Sequence, residues 1–76
     1  MKLLGHNTII LENEISLSTA EKEYPQWFAV VFDPIRSGIT ITAGSVRAVS
    51  KTNDGAYRAL DQLGQTHRKV TVFQLK

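Results

Sequence analysis

The stretch Trp27-Phe28-Ala29-Val30-Val31-Phe32 constrains this chain more than any other. It is the most apolar run, and it mixes aromatic with β-branched side chains, which favours a strand. Both parities of the run are apolar, as in a central strand covered on its two faces. Asp33-Pro34-Ile35-Arg36-Ser37-Gly38 comes next and reads as a hairpin loop: Pro34 presets its own φ and Gly38 tolerates a positive one. Ile39-Thr40-Ile41-Thr42-Ala43 alternates as the returning strand. Gly44 permits a bend or bulge. Ser45 to Ser50 extends that strand or starts another, with Arg47 and Val49 on one parity.

Flanking segments complete a sheet. From Thr8 to Leu17, the residues Ile9, Leu11, Ile15 and Leu17 share one parity against Glu12, Glu14 and Ser16, the pattern of a strand. Asn13-Glu14 either turns this segment into a hairpin, or Asn13 marks a bulge. A short helical turn is expected near 18–24, capped by Ser18 with Glu21 completing a capping box. Pro25 stops it, because the residue before a proline leaves the helical region. The main helix spans about 53–63. Thr52 or Asn53 caps it, and Asp54 suits its positive start. Ala56, Ala59, Leu60 and Leu63 form an apolar stripe, and Gly64 closes the helix. Lys69 to Leu75 is a final strand.

These elements predict an α+β fold: one two-layer domain over residues 1–76. A mostly antiparallel sheet of three to five strands carries the 53–63 helix on one face. One such helix cannot cover both faces, so part of the sheet is expected to be open. The chain has 76 residues and no cysteine, which removes disulfides and thiolate metal sites from its means of support. Met1-Lys2-Leu3-Leu4 begins like a signal peptide, but Gly5-His6-Asn7 interrupts it. With no transmembrane-length apolar run, the expectation is a soluble, cytoplasmic protein.

Enzymatic patterns are sparse. Gly38 and Gly44 are isolated and fit turns rather than a phosphate-cradling loop. His6 and His67 lack the close spacing of a metal motif. Asp33 reads as a turn residue, Asp54 as a helix-start residue and Asp61 as a solvated helix-face residue. No catalytic residue, metal or cofactor is assigned, and a non-enzymatic protein is expected.

Binding is better supplied. Tyr, Trp and Arg are the usual anchors of protein interfaces, which selects Tyr24, Trp27, Arg36, Arg47, Tyr57 and Arg58 as partner-binding candidates. The last strand, if it is an edge, can accept another strand from a partner or from a second copy, with Lys69 and Lys76 guarding it in the alternative account. The net charge of +2 also hides an asymmetry: residues 1–34 sum to −3 and residues 35–76 to +5. Arg36, Arg47, Lys51, Arg58, Arg68 and Lys69 are therefore the candidates for nucleic-acid contact, should they share a face.

Four segments, Trp27-Phe28-Ala29-Val30, Ile39-Thr40-Ile41-Thr42, Asp54-Gly55-Ala56-Tyr57-Arg58-Ala59-Leu60 and Val70-Thr71-Val72, succeed one another as aromatic-opened strand, second strand, alanine-bearing helix and closing strand. This layout, over residues 27–76, resembles small phage-encoded host-takeover and anti-CRISPR-type inhibitor proteins. It is a resemblance of topology that carries over no functional residue, and residues before Trp27 have no counterpart in it. It implies a small partner-binding protein that acts by occlusion rather than catalysis. The expectation is thus an inhibitor or regulator of phage or mobile-element origin, directed at a protein or nucleoprotein complex. The alternative is a small nucleic-acid-binding protein using the basic C-terminal half.

Overall fold

The computed structural model describes residues 2–3, 5, 7–64 and 68–76. His6 and His67, weighed above as metal ligands, lie outside the described residues, as do Met1 and Leu4. The chain runs β1 (Lys2–Leu3), β2 (Thr8–Ser16), α1 (Leu17–Glu23), β3 (Phe28–Ser37), β4 (Thr40–Ser50), α2 (Asn53–Leu63) and β5 (Val70–Gln74). The strands form one antiparallel sheet in the order β1-β2-β4-β3-β5. The α+β expectation therefore holds.

The run from Trp27 to Phe32 behaves as its composition demands. Ala29 and Val31 point to one side of the sheet, Val30 and Phe32 to the other, and all four are buried. On the first side, Ala29, Val31, Val46 and Val49 meet Leu17 and Ala20 of α1. On the second, Val30, Phe32 and Ala48 meet Ala56 and Ala59 of α2. The face expected to stay open is thus partly covered, by a helix of only seven residues. Two small cores share one sheet, and each adjacent pair of central residues feeds both.

Two boundaries differ from the sequence reading, and between them one open alternative is decided. First, Ser16 rather than Ser18 caps α1, its Oγ accepting from the Thr19 amide at 3.2 Å. The helix starts one residue earlier because Leu17 belongs to the buried stripe with Ala20. Thr19 then occupies the third helical position, so the capping box with Glu21 does not form. Second, of the two alternatives open at Asn13-Glu14, a hairpin or a bulge, the bulge holds. Between the pairs Ile10–Ala48 and Ile15–Val46, residues 11–14 of β2 oppose Arg47 alone.

Third, Asp33-Pro34 is no loop. Pairing resumes beyond it at Ile35–Ala43, Arg36–Ile41 and Ser37–Thr40. Asp33 takes a left-handed φ of 52°, and the two residues bulge opposite Gly44. Proline, which has no amide to donate, is tolerated at such a site. Any side chain at Gly44 would collide with Val31 Cγ1, so the glycine admits the bend. The turn itself is Gly38-Ile39, with Gly38 at φ 64°. A glycine first in a two-residue turn suits the twist of a hairpin. The bounds expected for α2 agree: of its two candidate caps it is Thr52 that accepts from the Gly55 amide, at 3.0 Å, and Gly64 ends the helix at φ 78°.

Candidate partner-binding surface

The bulge at Asp33-Pro34 interrupts the β3–β4 ladder, and the pairs beyond it, Ile35–Ala43, Arg36–Ile41 and Ser37–Thr40, form an arm at the hairpin's end. Bulges sharpen strand twist and redirect the chain beyond them. Ile41, on this arm, packs toward the α1-side core. Arg36 is its direct cross-strand partner and lies on the same side. Across an open groove of about 560 Å³, Arg36, Ile39 and Ile41 face Phe73 and Lys76, with Glu21 of α1 also lining it. At the tip Ile39 is 97% exposed, and Ile35 is 60% exposed. At that exposure Ile39 gains almost nothing from folding, and Ile35 only part of what a buried isoleucine would.

Trp27 sits at the other end of the same face. It is half-buried against the α1-side core, its ring 5.3 Å from that of Tyr24 and tilted by 60°. Lys51 Nζ lies 5.4 Å from the centre of the indole, within cation–π range. Trp27 and Tyr24 therefore serve packing on one side and present an edge on the other. Tyr24, Trp27 and Arg36 are the partner-binding candidates that share a face.

The remaining candidates lie elsewhere. Arg47 is the single residue of β4 opposite the β2 bulge, and its Nε donates to the Leu11 carbonyl at 3.2 Å. Half-buried, it serves the sheet. Tyr57 and Arg58 are exposed on α2, across the sheet from Trp27. Arg58 lines a cleft of about 640 Å³ between the start of α2 and the strand β2, together with Asp54 and Asp61. Thr8 and Ser50 are buried there and join hydroxyls at 2.8 Å. Gly55 lies directly over them, where a Cβ would strike both.

Arg68 is engaged. Its Nε donates to Asp33 Oδ2 at 2.7 Å, its Nη1 donates to Glu14 Oε1, and its guanidinium lies 4.9 Å from the centre of the Phe32 ring. The bonds to Glu14 first and Asp33 second raise its already high pKa. Arg68 thus spans β2 and β3 and covers Phe32 on the α2 side. The six basic candidates for nucleic-acid contact are accordingly dispersed. Arg36 is on the arm, Lys51 beside Trp27, Arg58 on α2, Arg68 over Phe32, Arg47 inside the bulge and Lys69 just before β5.

Sequence reasoning misses Ile35 and Ile39, because their context reads as loop and as strand interior. The glycine before Ile39 is the available signal for a two-residue turn. It also misses the Thr8–Ser50–Gly55 contact, which no local pattern announces. Among the described residues no group of three His, Asp or Glu side chains converges as a metal site, and no helix is long and apolar enough to cross a membrane. No protein-family model, curated protein or solved structure matches the chain.

Proposed function

We propose that this chain is a non-enzymatic binding protein that occludes a surface of a protein or nucleoprotein partner. The observation that carries the reading is the end of the β3–β4 hairpin, which holds Ile39 in solvent beside a groove edged by Arg36. An exposed isoleucine at a hairpin tip is an anchor of the kind that fills a partner's pocket, with a basic residue at its rim. Tyr24 and Trp27 extend the same face. The layout of residues 27–76 supports an inhibitor or regulator of phage or mobile-element origin, working in the cytoplasm of a host cell. The dispersal of basic side chains over both faces favours a protein surface over bare nucleic acid.

The test is quantitative affinity capture from cell lysate with the wild-type chain, Ile39→Asp and Arg36→Glu, with reconstitution from the purified partner afterwards. A stoichiometric partner lost by Ile39→Asp, with folding intact, is the expected result. No stoichiometric partner, or one indifferent to both substitutions, overturns the reading. Binding to DNA or RNA that falls linearly on a log–log plot with salt would install the nucleic-acid alternative.

A further inference from the structure

The β3–β5 ladder has no register shift along its five pairs. At its ends, the Leu75 amide donates to Trp27 O at 2.7 Å, and the Asp33 amide donates to Lys69 O at 2.8 Å. Antiparallel pairing alternates, so residues 69, 71, 73 and 75 exchange bonds with β3. The N–H and C=O groups of Val70, Val72 and Gln74 must then point away from β3. Among the described residues no strand lies on that side. The opposite edge, β1, is only two residues long. Short edge strands, bulges, prolines and charged side chains, lysine above all, are the usual protections; β5 has no bulge, proline or charge within it, and its two lysines lie just beyond its ends.

Charge selects the occupant. Lys69 and Lys76 bracket β5, both exposed, and β5 itself has no acidic residue. Arg36 adds a third cation on the groove that runs beside Phe73, where Glu21 is the carboxylate among the described lining residues. A second copy of the chain is disfavoured: an antiparallel β5 pair centred on Val72 sets Lys69 of each copy opposite Leu75 of the other, one residue from its Lys76, along a seam whose strands hold no carboxylate. Like charges brought together across a strand pair destabilise a sheet.

We propose that an extended, acidic peptide segment of the partner adds to β5 as a sixth strand. Its main chain would pair with Val70, Val72 and Gln74. Alternate side chains would enter the groove beside Phe73, and its carboxylates would meet Lys69, Lys76 and Arg36. Strand addition of this type takes affinity from the main chain and selectivity from alternate side chains. The proposal rests on the partner-binding reading above and adds the partner's chemistry.

The probe is a display library of random ten-residue peptides panned against the full chain, the winners titrated into the ¹⁵N-labelled protein. Expected are enrichment in Asp and Glu, amide shifts centred on Val70, Val72 and Gln74, and loss of binding when alternate peptide nitrogens are methylated. Lys69→Glu with Lys76→Glu should weaken binding by about tenfold or more while leaving the melting curve unchanged. No enrichment, enrichment of neutral or basic peptides, a footprint elsewhere, or indifference to N-methylation overturns the proposal. So does a dimer in sedimentation whose interface protects those three amides. If Ile39→Asp still abolishes capture of a partner while the peptide experiment fails, the edge proposal falls alone. If neither succeeds, the partner-binding reading falls with it.

Discussion

Arg47 Nε donates to the carbonyl oxygen of Leu11 at 3.2 Å, joining residues 36 apart in the chain. The bond closes the place where residues 11–14 of β2 are accommodated against one residue of β4. Arg47→Ala leaves that carbonyl without its donor, and a charged donor in a half-buried site contributes about 1.5–3 kcal/mol. The expected outcome is a loss of about that size in urea unfolding, with faster hydrogen exchange across residues 10–15. An unchanged midpoint would show that the bulge holds without its arginine.

Gly55 gives a test of sign. In a helix interior, Gly→Ala ordinarily stabilises by about 1 kcal/mol through backbone entropy. Here the new methyl would meet Ser50 Oγ and Thr8 Oγ1, which are buried and bonded to each other. Overpacking of this kind costs about 1–3 kcal/mol. Gly55→Ala should therefore destabilise the protein in denaturant titration, and a rise in stability would refute the close approach.

Arg68 carries both charge and cover. Arg68→Met keeps an unbranched side chain over Phe32 and loses the pairing with Glu14 and Asp33, whereas Arg68→Ala loses both. The melting temperature should fall in the order wild type, Met, Ala. Added salt should narrow the gap between wild type and Met, since exposed ion pairs are screened. It should leave the gap between Met and Ala intact, because that gap reports cover of Phe32. Equal salt response in both comparisons would contradict the arrangement.

Trp27 is the chain's single tryptophan, so its emission reports its own surroundings. Trp27→Phe should fold with a modest loss, and Trp27→Ala should lose about 1–3 kcal/mol, below the full core value because the indole is only half-buried. Emission of the wild-type chain should shift to the red on unfolding. If Trp27→Ala melts like the wild type, the indole is a free surface group and its contact with the α1-side core is immaterial.

The legible parts of this fold are those with a local cause. The Trp27–Phe32 run demands a covered central strand. The stripe from Ala56 to Leu63, with a cap at Thr52 or Asn53 before it and Gly64 after it, marks α2. What sequence reading loses depends on pairing between distant segments. Asp33-Pro34 has the composition of a turn, and only its ladder to β4, opened by Gly44, makes it a bulge. The buried side of α1 lies in Leu17 and Ala20, too few residues for a periodicity to reveal. Among candidate site residues, Arg47 and Arg68 stand out in the sequence as cations, yet their positions depend on Leu11, Glu14 and Asp33. The arm's exposed Ile39 is hidden because an isoleucine in an alternating run reads as interior.

The two-residue turn at Gly38-Ile39 also bears on how the chain assembles. It joins the two central strands, so the middle of the sheet needs only a local encounter to begin, and hairpins of this kind close within about 1–10 μs. By contrast, β5 must find β3 across the whole of α2 and the segment after it. Mutational φ-values should accordingly be high for pairs near the turn and low at Val72. Docking last, β5 would fray first, so its outer edge would be the most readily remodelled part of the molecule.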